Sequence, residues 1–114
     1  MATVLVVDDD DDIRDSLADV LVDEGFDVLT APHGLAALAV ARNARPDLIV
    51  LDVMMPVMDG YEFRANQLTD VAIAAIPVVV ITASRQAAKR LAPLPTLIKP
   101  VDIAALVELL RRSV

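Results

Sequence analysis

Five polar residues stand directly after short apolar runs at four places in this 114-residue chain. Asp8 and Asp9 follow "TVLVV", Asp52 follows "LIVL", Thr82 follows "VVVI" and Lys99 follows "TLI". Carboxylates that cluster repel one another, which is unfavourable unless a cation joins them. A hard divalent ion such as Mg²⁺ prefers oxygen ligands and tolerates bound waters. The residue types therefore predict a magnesium site, provided that the chain brings them together.

Such a site could carry out phosphoryl transfer. One carboxylate, Asp52, could act as a nucleophile towards a phosphoryl group. Mg²⁺, the Lys99 ammonium and the Thr82 hydroxyl would then neutralise or hydrogen-bond the phosphoryl oxygens, which is the electrostatic requirement of this reaction.

The apolar runs that precede these residues have the pattern of buried strands. Four are short and rich in β-branched residues, and a weaker one covers 27–30. Hydrophobicity that is continuous along a strand, rather than alternating, is typical of parallel sheets covered on both faces.

Helical patterns lie between the strands. Their spacing predicts helices over 12–24, 34–45, from Asp59 onward, over 84–91 and over 102–113. Ile13, Leu17, Val20 and Leu21 form the apolar stripe of the first helix, and Gly25 is a natural residue to end it. Leu35, Leu38 and Ala39 are the predicted stripe of the second. Asp59 and Asp102 are predicted N-caps.

The elements therefore alternate as five successive β-α units. Right-handed crossovers turn this order into a (βα)5 doubly wound α/β fold, flavodoxin-like, with a five-stranded parallel sheet and a short or irregular fourth helix. In such sheets ligands bind beyond the carboxyl ends of the strands. All five polar residues are expected at that edge. The length indicates one domain over residues 1–114.

Composition excludes several classes of function. The net charge of −7 disfavours direct binding to nucleic acid. Without cysteine and with one histidine, the chain has neither a disulfide framework nor a structural zinc site. The apolar run over 71–81 is too short for a membrane helix and contains Pro77, so no membrane insertion is expected. The N-terminus lacks the pattern of a signal peptide, and we expect a cytoplasmic protein.

The chain resembles the receiver domains of two-component response regulators, such as the chemotaxis regulator. The resemblance covers essentially the whole chain and rests on a combination of motifs. These are "VLVVDD" at the start, "LDVMMPVMDG" in the centre, "TA" after the fourth strand and "KP" after the fifth.

The resemblance implies a role for each candidate residue. Asp52 would be the phosphoacceptor. Asp9, Asp52 and the backbone carbonyl of Met54 would ligate Mg²⁺ directly, and Asp8 would act through water. Thr82 would be the switch hydroxyl and Lys99 the partner of the phosphate, followed by a cis peptide bond to Pro100.

Simpler interpretations exist for these residues taken one at a time. Asp8 and Asp9 could belong to an acidic helix start, Asp52 to a turn, Thr82 to a helix N-cap and Lys99 to a solvated strand end. The run also imitates an EF-hand loop with Asp8, Asp10, Asp12 and Asp19, although the sixth position should be glycine and is Ile13. His33 is assigned no role. Met54, Met55 and Met58 are expected to serve in packing.

Two features depart from the family pattern. The segment from Thr82 to Lys99 is short, and Thr96 stands where the family usually has a switch aromatic. That aromatic belongs to the usual output surface, built from the fourth helix, the fifth strand and the last helix. Arg85, Lys89 and Arg90 would form a basic patch on this surface that could contact a partner.

The resulting hypothesis is a receiver domain that is phosphorylated on Asp52 with Mg²⁺. Its donor would be a histidine kinase or a histidine phosphotransfer protein, and it would act on an unidentified output partner or pass the group on in a phosphorelay. It would catalyse only its own phosphorylation and dephosphorylation. The alternatives are a phosphorylation-independent interaction module and, less favoured, an aspartate-nucleophile phosphatase. That class places a second aspartate two residues after the nucleophile, where this chain has Met54.

Overall fold

The strands form where the sequence has its continuous apolar runs. The structure, a computed structural model, describes residues 2–113. Its strands are β1 (Thr3–Val7), β2 (Asp27–Ala31), β3 (Leu48–Asp52), β4 (Val78–Thr82) and β5 (Thr96–Ile98). β3 and β4 are buried along their whole length, as expected of strands covered on both faces.

The strands pair in one parallel sheet in the order β2-β1-β3-β4-β5. β1 and β3 are adjacent in the sheet. β2 lies on one side of this pair, whereas β4 and β5 lie on the other, so the order in which the chain adds strands reverses between β1 and β3. The predicted doubly wound parallel sheet is confirmed. Because every strand runs the same way, the residues after β1, β3, β4 and β5 emerge at one edge.

Five helices cover the sheet within residues 2–113. They are α1 (Asp11–Asp23), α2 (Gly34–Ala44), α3 (Gly60–Leu68), α4 (Arg85–Arg90) and α5 (Ile103–Ser113). α1 and α5 pack on one face with a cluster that includes Leu17, Leu21, Leu106 and Leu110. α2, α3 and α4 contribute to the cluster on the other face, which includes Leu38, Phe63 and Ala87. Both clusters are almost wholly aliphatic, as the composition predicts.

The predicted helix ends agree with the structure at most positions. Asp10 caps α1 by accepting the amide hydrogens of Asp12 and Ile13, and Gly25 follows that helix with φ +97°. Asp59 accepts the amide hydrogen of Glu62 at the start of α3. Asp102 accepts that of Ala105, in the first turn of α5. α4 has six residues, so the shortened fourth helix is also confirmed.

Two predictions about α2 are wrong. Leu35 is 54% exposed and Ala39 is exposed, whereas Ala37, Leu38 and Ala41 form the buried face. In an alanine-rich helix the buried and exposed faces differ little in hydrophobicity, so the positions of the leucines do not identify the buried face. His33 has a role after all, because its Nδ1 accepts the amide hydrogen of Ala36 and caps the helix.

The loop between α3 and β4 is organised by a buried glutamine. The Gln67 Nε2 donates hydrogen bonds to the carbonyls of Ile73 and Ile76, at 3.0 and 2.9 Å. Arg64 donates in turn to the Gln67 Oε1 at 2.8 Å.

Among the described residues, no helix is both long and apolar enough to cross a membrane.

Candidate functional site

Asp8 is fully buried at the end of β1, and its surroundings hold it in place. Its backbone amide donates to the Ala31 carbonyl of the neighbouring strand at 3.2 Å. Its Oδ1 accepts the amide hydrogen of Asp10 at 3.0 Å, at the turn into α1. Arg14 reaches back from α1 and donates to the Asp8 carbonyl at 3.0 Å. Sequence reasoning missed Arg14, although a lone cation within the acidic run was a signal that could have found it.

Asp52 lies at the end of β3 and is 4% exposed. The chain after it turns tightly, and the Gly60 amide donates to the Val53 carbonyl at 2.8 Å. Gly60 is required there, because a Cβ would lie 2.8 Å from the Val53 Cα and 2.9 Å from the Asp52 carbonyl oxygen. The start of α3 is thus held directly against the candidate nucleophile.

Lys99 and Thr82 complete the set from the neighbouring strands. The Lys99 amide donates to the Thr82 carbonyl at 2.8 Å, and the Lys99–Pro100 peptide bond is cis, as the resemblance implies. The Lys99 Nζ lies 3.1 Å from the Asp8 Oδ2 and 3.4 Å from the Asp52 Oδ1. Thr82 is fully buried, and its hydroxyl oxygen accepts the Ser84 amide hydrogen at 3.1 Å. Ser84, rather than Thr82, is the N-cap of α4.

Three carboxylates meet at this edge of the sheet. Asp8, Asp9 and Asp52 each place one carboxylate oxygen so that the three oxygens lie within 4.8 Å of one another. Lys99 contacts two of the three carboxylates, and Asp9 is exposed to solvent. Oxygen donors in this number and of this charge fit a hard divalent cation that keeps part of its water shell.

The pKa of Asp52 reflects the burial and the repulsion of carboxylates in this arrangement. Burial, together with the Asp8 carboxylate, raises the pKa of Asp52 from 3.8 to about 6, with a smaller contribution from Asp9. Lys99 acts in the opposite direction by charge and by hydrogen bonding. The Lys99 ammonium is affected by the same contacts, because its bonds to Asp8 and Asp52 outweigh its burial and raise its pKa. A bound cation would relieve the carboxylates further.

The EF-hand alternative is excluded by the fold. Asp12 and Asp19 lie within α1, so a helix, and not a loop, follows the first aspartates. Met54, expected to serve in packing, is 65% exposed beside the site, whereas Met55 is buried as expected.

Comparison with known proteins supports the interpretation of the fold. The family model described as "Response regulator receiver domain" matches residues 4–111. The chain belongs to this family. The predicted resemblance is therefore confirmed over almost the whole receiver domain.

The relatives that match are either about as long as this chain or much longer. The protein PilH of Pseudomonas aeruginosa is 34% identical, with 90% of this chain and 88% of PilH covered. The response regulator MprA of a Mycobacterium species is 43% identical over 80% of this chain, but the match covers only 39% of MprA. The structure of the chemotaxis response regulator CheY4 of Vibrio cholerae matches with a TM-score of 0.89 and 36% identity, covering 100% of this chain and 99% of that one.

The position at which the resemblance implies a switch aromatic holds Thr96, on β5. Thr96 on β5 donates its hydroxyl hydrogen to the Leu94 carbonyl at 3.0 Å. A hollow of about 360 Å³ lies between β5 and α4, lined by Arg85, Lys89 and Ile98 among others. Arg90 departs from the predicted basic patch, because its guanidinium stacks 3.7 Å from the centre of the Tyr61 ring. Lys89 borders both this hollow and the one that Arg90 lines on the α3 side.

Proposed function

We propose that this receiver domain accepts a phosphoryl group on Asp52 in a Mg²⁺-dependent reaction. The observation that carries the proposal is the contact of one lysine with two buried carboxylates, beside a third. This arrangement has the charges that an acyl phosphate with a divalent cation requires.

The residues of the site would have separate roles in metal binding and in phosphoryl transfer. Asp8, Asp9, Asp52 and the Met54 carbonyl would hold Mg²⁺, which supplies positive charge to the phosphoryl oxygens when bound. The free carboxylate oxygen of Asp52 attacks phosphorus, a new O–P bond forms, and the bond from phosphorus to the donor's leaving atom breaks. With a phosphohistidine donor, the electron pair of that bond stays on the imidazole nitrogen.

Lys99 and Thr82 would then bind the product. Phosphorylation converts Asp52 into an acyl phosphate, so Lys99 exchanges its contact with the carboxylate for one with a phosphoryl oxygen. The Thr82 hydroxyl oxygen only accepts a hydrogen bond in the present structure. Its hydrogen can therefore be donated to the phosphoryl group, which would couple phosphorylation to the start of α4.

The partners follow from the chemistry and belong to the proposal. A histidine kinase or a histidine phosphotransfer protein would supply the phosphoryl group in the cytoplasm. An output partner would recognise the phosphorylated domain, or a second histidine would receive the group in a phosphorelay. The domain would promote its own phosphorylation and dephosphorylation and no other reaction.

Intact-mass spectrometry tests the proposal directly. The protein is incubated with acetyl phosphate or with phosphoramidate, whose P–N bond resembles that of phosphohistidine, with and without Mg²⁺. We expect the mass of one phosphoryl group to be added only with Mg²⁺. Asp52→Asn should remain unmodified, and Asp19→Asn, which removes an exposed carboxylate on α1, should be modified like the wild type.

Other outcomes would favour the alternatives. A lack of modification by either donor, in protein shown to be folded, would favour an interaction module that works without phosphate. Repeated turnover of a stable phosphate monoester such as p-nitrophenyl phosphate would instead support a phosphatase.

A further inference from the structure

A cleft separates α3 from α4 on the side of the molecule away from β5. Its lower part has a volume of about 310 Å³ and is lined by Arg64, Leu68, Arg90, Pro93 and Leu94 among others. Arg90 also lines a larger hollow of about 800 Å³ nearer to Asp52, which Met54 and Ser84 border and whose lining includes the acidic residues Asp59 and Glu62. Within the described chain, the lower part has no acidic residue in its lining, and it is therefore the part of the cleft that suits an acidic ligand.

Two arginines without acidic partners face this cleft. Arg64 donates one hydrogen bond, to the neutral Gln67 side chain, and Arg90 stacks on the Tyr61 ring. Within residues 2–113 neither guanidinium makes an ion pair. Stacking uses the face of a guanidinium and leaves the N–H groups at its edge available for an acceptor in the same plane. Both guanidinium groups are therefore available to an acidic ligand at this cleft.

The remaining walls of the lower cleft are apolar and accessible. Leu68, the last residue of α3, is 56% exposed, and Pro93 is also exposed. Leu94 is half-buried and packs against the core cluster of that face. The short α4 creates this arrangement, because the chain turns after Arg90 and leaves 91–94 as the wall opposite α3.

We propose that this cleft docks an acidic segment of a partner protein in which an apolar side chain lies next to a carboxylate. The carboxylate would receive bidentate hydrogen bonds from Arg64 or Arg90, the geometry that arginine favours. The apolar side chain would cover Leu68 and Leu94. An extended segment suits a long open cleft better than a small molecule, which usually binds in a pocket that encloses most of its surface.

The cleft is present in the unphosphorylated structure, so its test uses the unmodified protein. The probe is a short fluorescein-labelled peptide of alternating glutamate and leucine, with blocked ends, and binding is followed by fluorescence anisotropy. A matched peptide carries glutamine in place of every glutamate. We expect the acidic peptide to bind and the neutral peptide to bind at least tenfold more weakly, although the net charge of −7 repels acidic ligands in general.

Paired variants localise the binding. Arg90→Gln and Arg64→Gln should each weaken binding by about tenfold, the usual effect of losing a charge-assisted hydrogen bond. Arg85→Gln removes the same charge from the β5 side of α4 and should leave affinity unchanged. Leu68→Asp should abolish binding without disturbing the hydrogen bonds of Gln67. Val22→Asp, at an equally exposed aliphatic position on α1, should have no effect.

Several outcomes would overturn the proposal. These are equal affinity for the acidic and neutral peptides, no binding of either, or equal losses in Arg85→Gln and Arg90→Gln. Chemical-shift mapping of the wild type with the acidic peptide gives a readout that needs no variant. Perturbed amides should cluster at Leu68 and 91–94, and a cluster on α1 or α5 instead would contradict the proposal.

Discussion

Asp52 is held by groups that act on its charge in opposite directions. Burial and the Asp8 carboxylate favour the protonated acid, while Lys99 favours the carboxylate, and the net result is a pKa of about 6. With this pKa the side chain is mostly ionised near neutral pH, as the proposed nucleophile must be, and the ionised state carries an electrostatic cost. A divalent cation at Asp8, Asp9 and Asp52 would remove much of this cost.

The cost makes stability depend on pH in a predictable direction. Because the folded pKa of Asp52 exceeds the unfolded value of 3.8, the folded state holds a proton that the unfolded state releases between about pH 4 and 6. In metal-free buffer, Asp52 therefore destabilises the fold progressively as the pH rises through this range. Above it, Asp52→Asn should increase the free energy of unfolding by up to about 3 kcal/mol, an advantage that disappears near pH 4.

Urea unfolding in EDTA from pH 4 to pH 8 measures this difference. Asp19→Asn is the control, since its carboxylate is exposed on α1, and its stability should follow that of the wild type at every pH. An Asp52→Asn variant less stable than the wild type at pH 8 would show that the ion pair with Lys99 outweighs burial.

Among the elements, α3 begins directly against the backbone of Asp52, and its first residue has no room for a side chain. A Cβ on Gly60 would meet backbone atoms of Val53 and Asp52, and backbone cannot yield as a flexible side chain does. We expect Gly60→Ala to destabilise the fold by about 1–3 kcal/mol, as overpacking does, and to slow modification of Asp52 by acetyl phosphate.

Gly25→Ala is a control that separates the loss of stability from the slower modification of Asp52. Gly25 has φ +97° with open space around a Cβ, so its substitution should cost about 1 kcal/mol through backbone conformation alone. That variant should be modified at the wild-type rate under conditions where it is folded. Equal rates for both alanine variants would mean that the start of α3 does not control the geometry of Asp52.

The sequence is most informative about elements in which an apolar run ends sharply at a polar residue. The apolar runs before Asp8, Asp52 and Thr82 located three strands and the edge at which they end, because a buried parallel strand tolerates almost no polar residue. Only Arg90 departs from the predicted basic patch, and the reason is geometric. Arg85 and Lys89 are four residues apart and share a face of α4, whereas Arg90 lies a further 100° around the helix. His33 as a cap and the cleft between α3 and α4 depend on tertiary contacts that no local pattern shows.

At the scale of the whole molecule, the net charge of −7 and the carboxylate cluster both favour cations. Screening by any salt should stabilise the domain slightly, since it weakens the general repulsion. A specific site adds a contribution that depends on the ion. At a Mg²⁺ concentration ten times its dissociation constant, binding to the folded state alone contributes about 1.4 kcal/mol.

Thermal unfolding in MgCl₂ and in NaCl of equal ionic strength should therefore give a higher melting temperature with Mg²⁺. Asp9→Asn should lose most of this difference, whereas Asp19→Asn, which changes the net charge equally, should keep it. If both salts shift the melting temperature alike, the carboxylates are not a metal site.

The stacking of Arg90 on Tyr61 makes one ring a natural optical reporter. The chain contains a single tyrosine and no tryptophan, so near-ultraviolet absorption and intrinsic emission come almost entirely from Tyr61. That ring borders the same hollow as Met54 and Ser84, beside Asp52 and Thr82. A change of α4 on phosphorylation, or an occupant that draws Arg90 away, would alter the surroundings of this one chromophore. Both events can thus be observed in unlabelled protein.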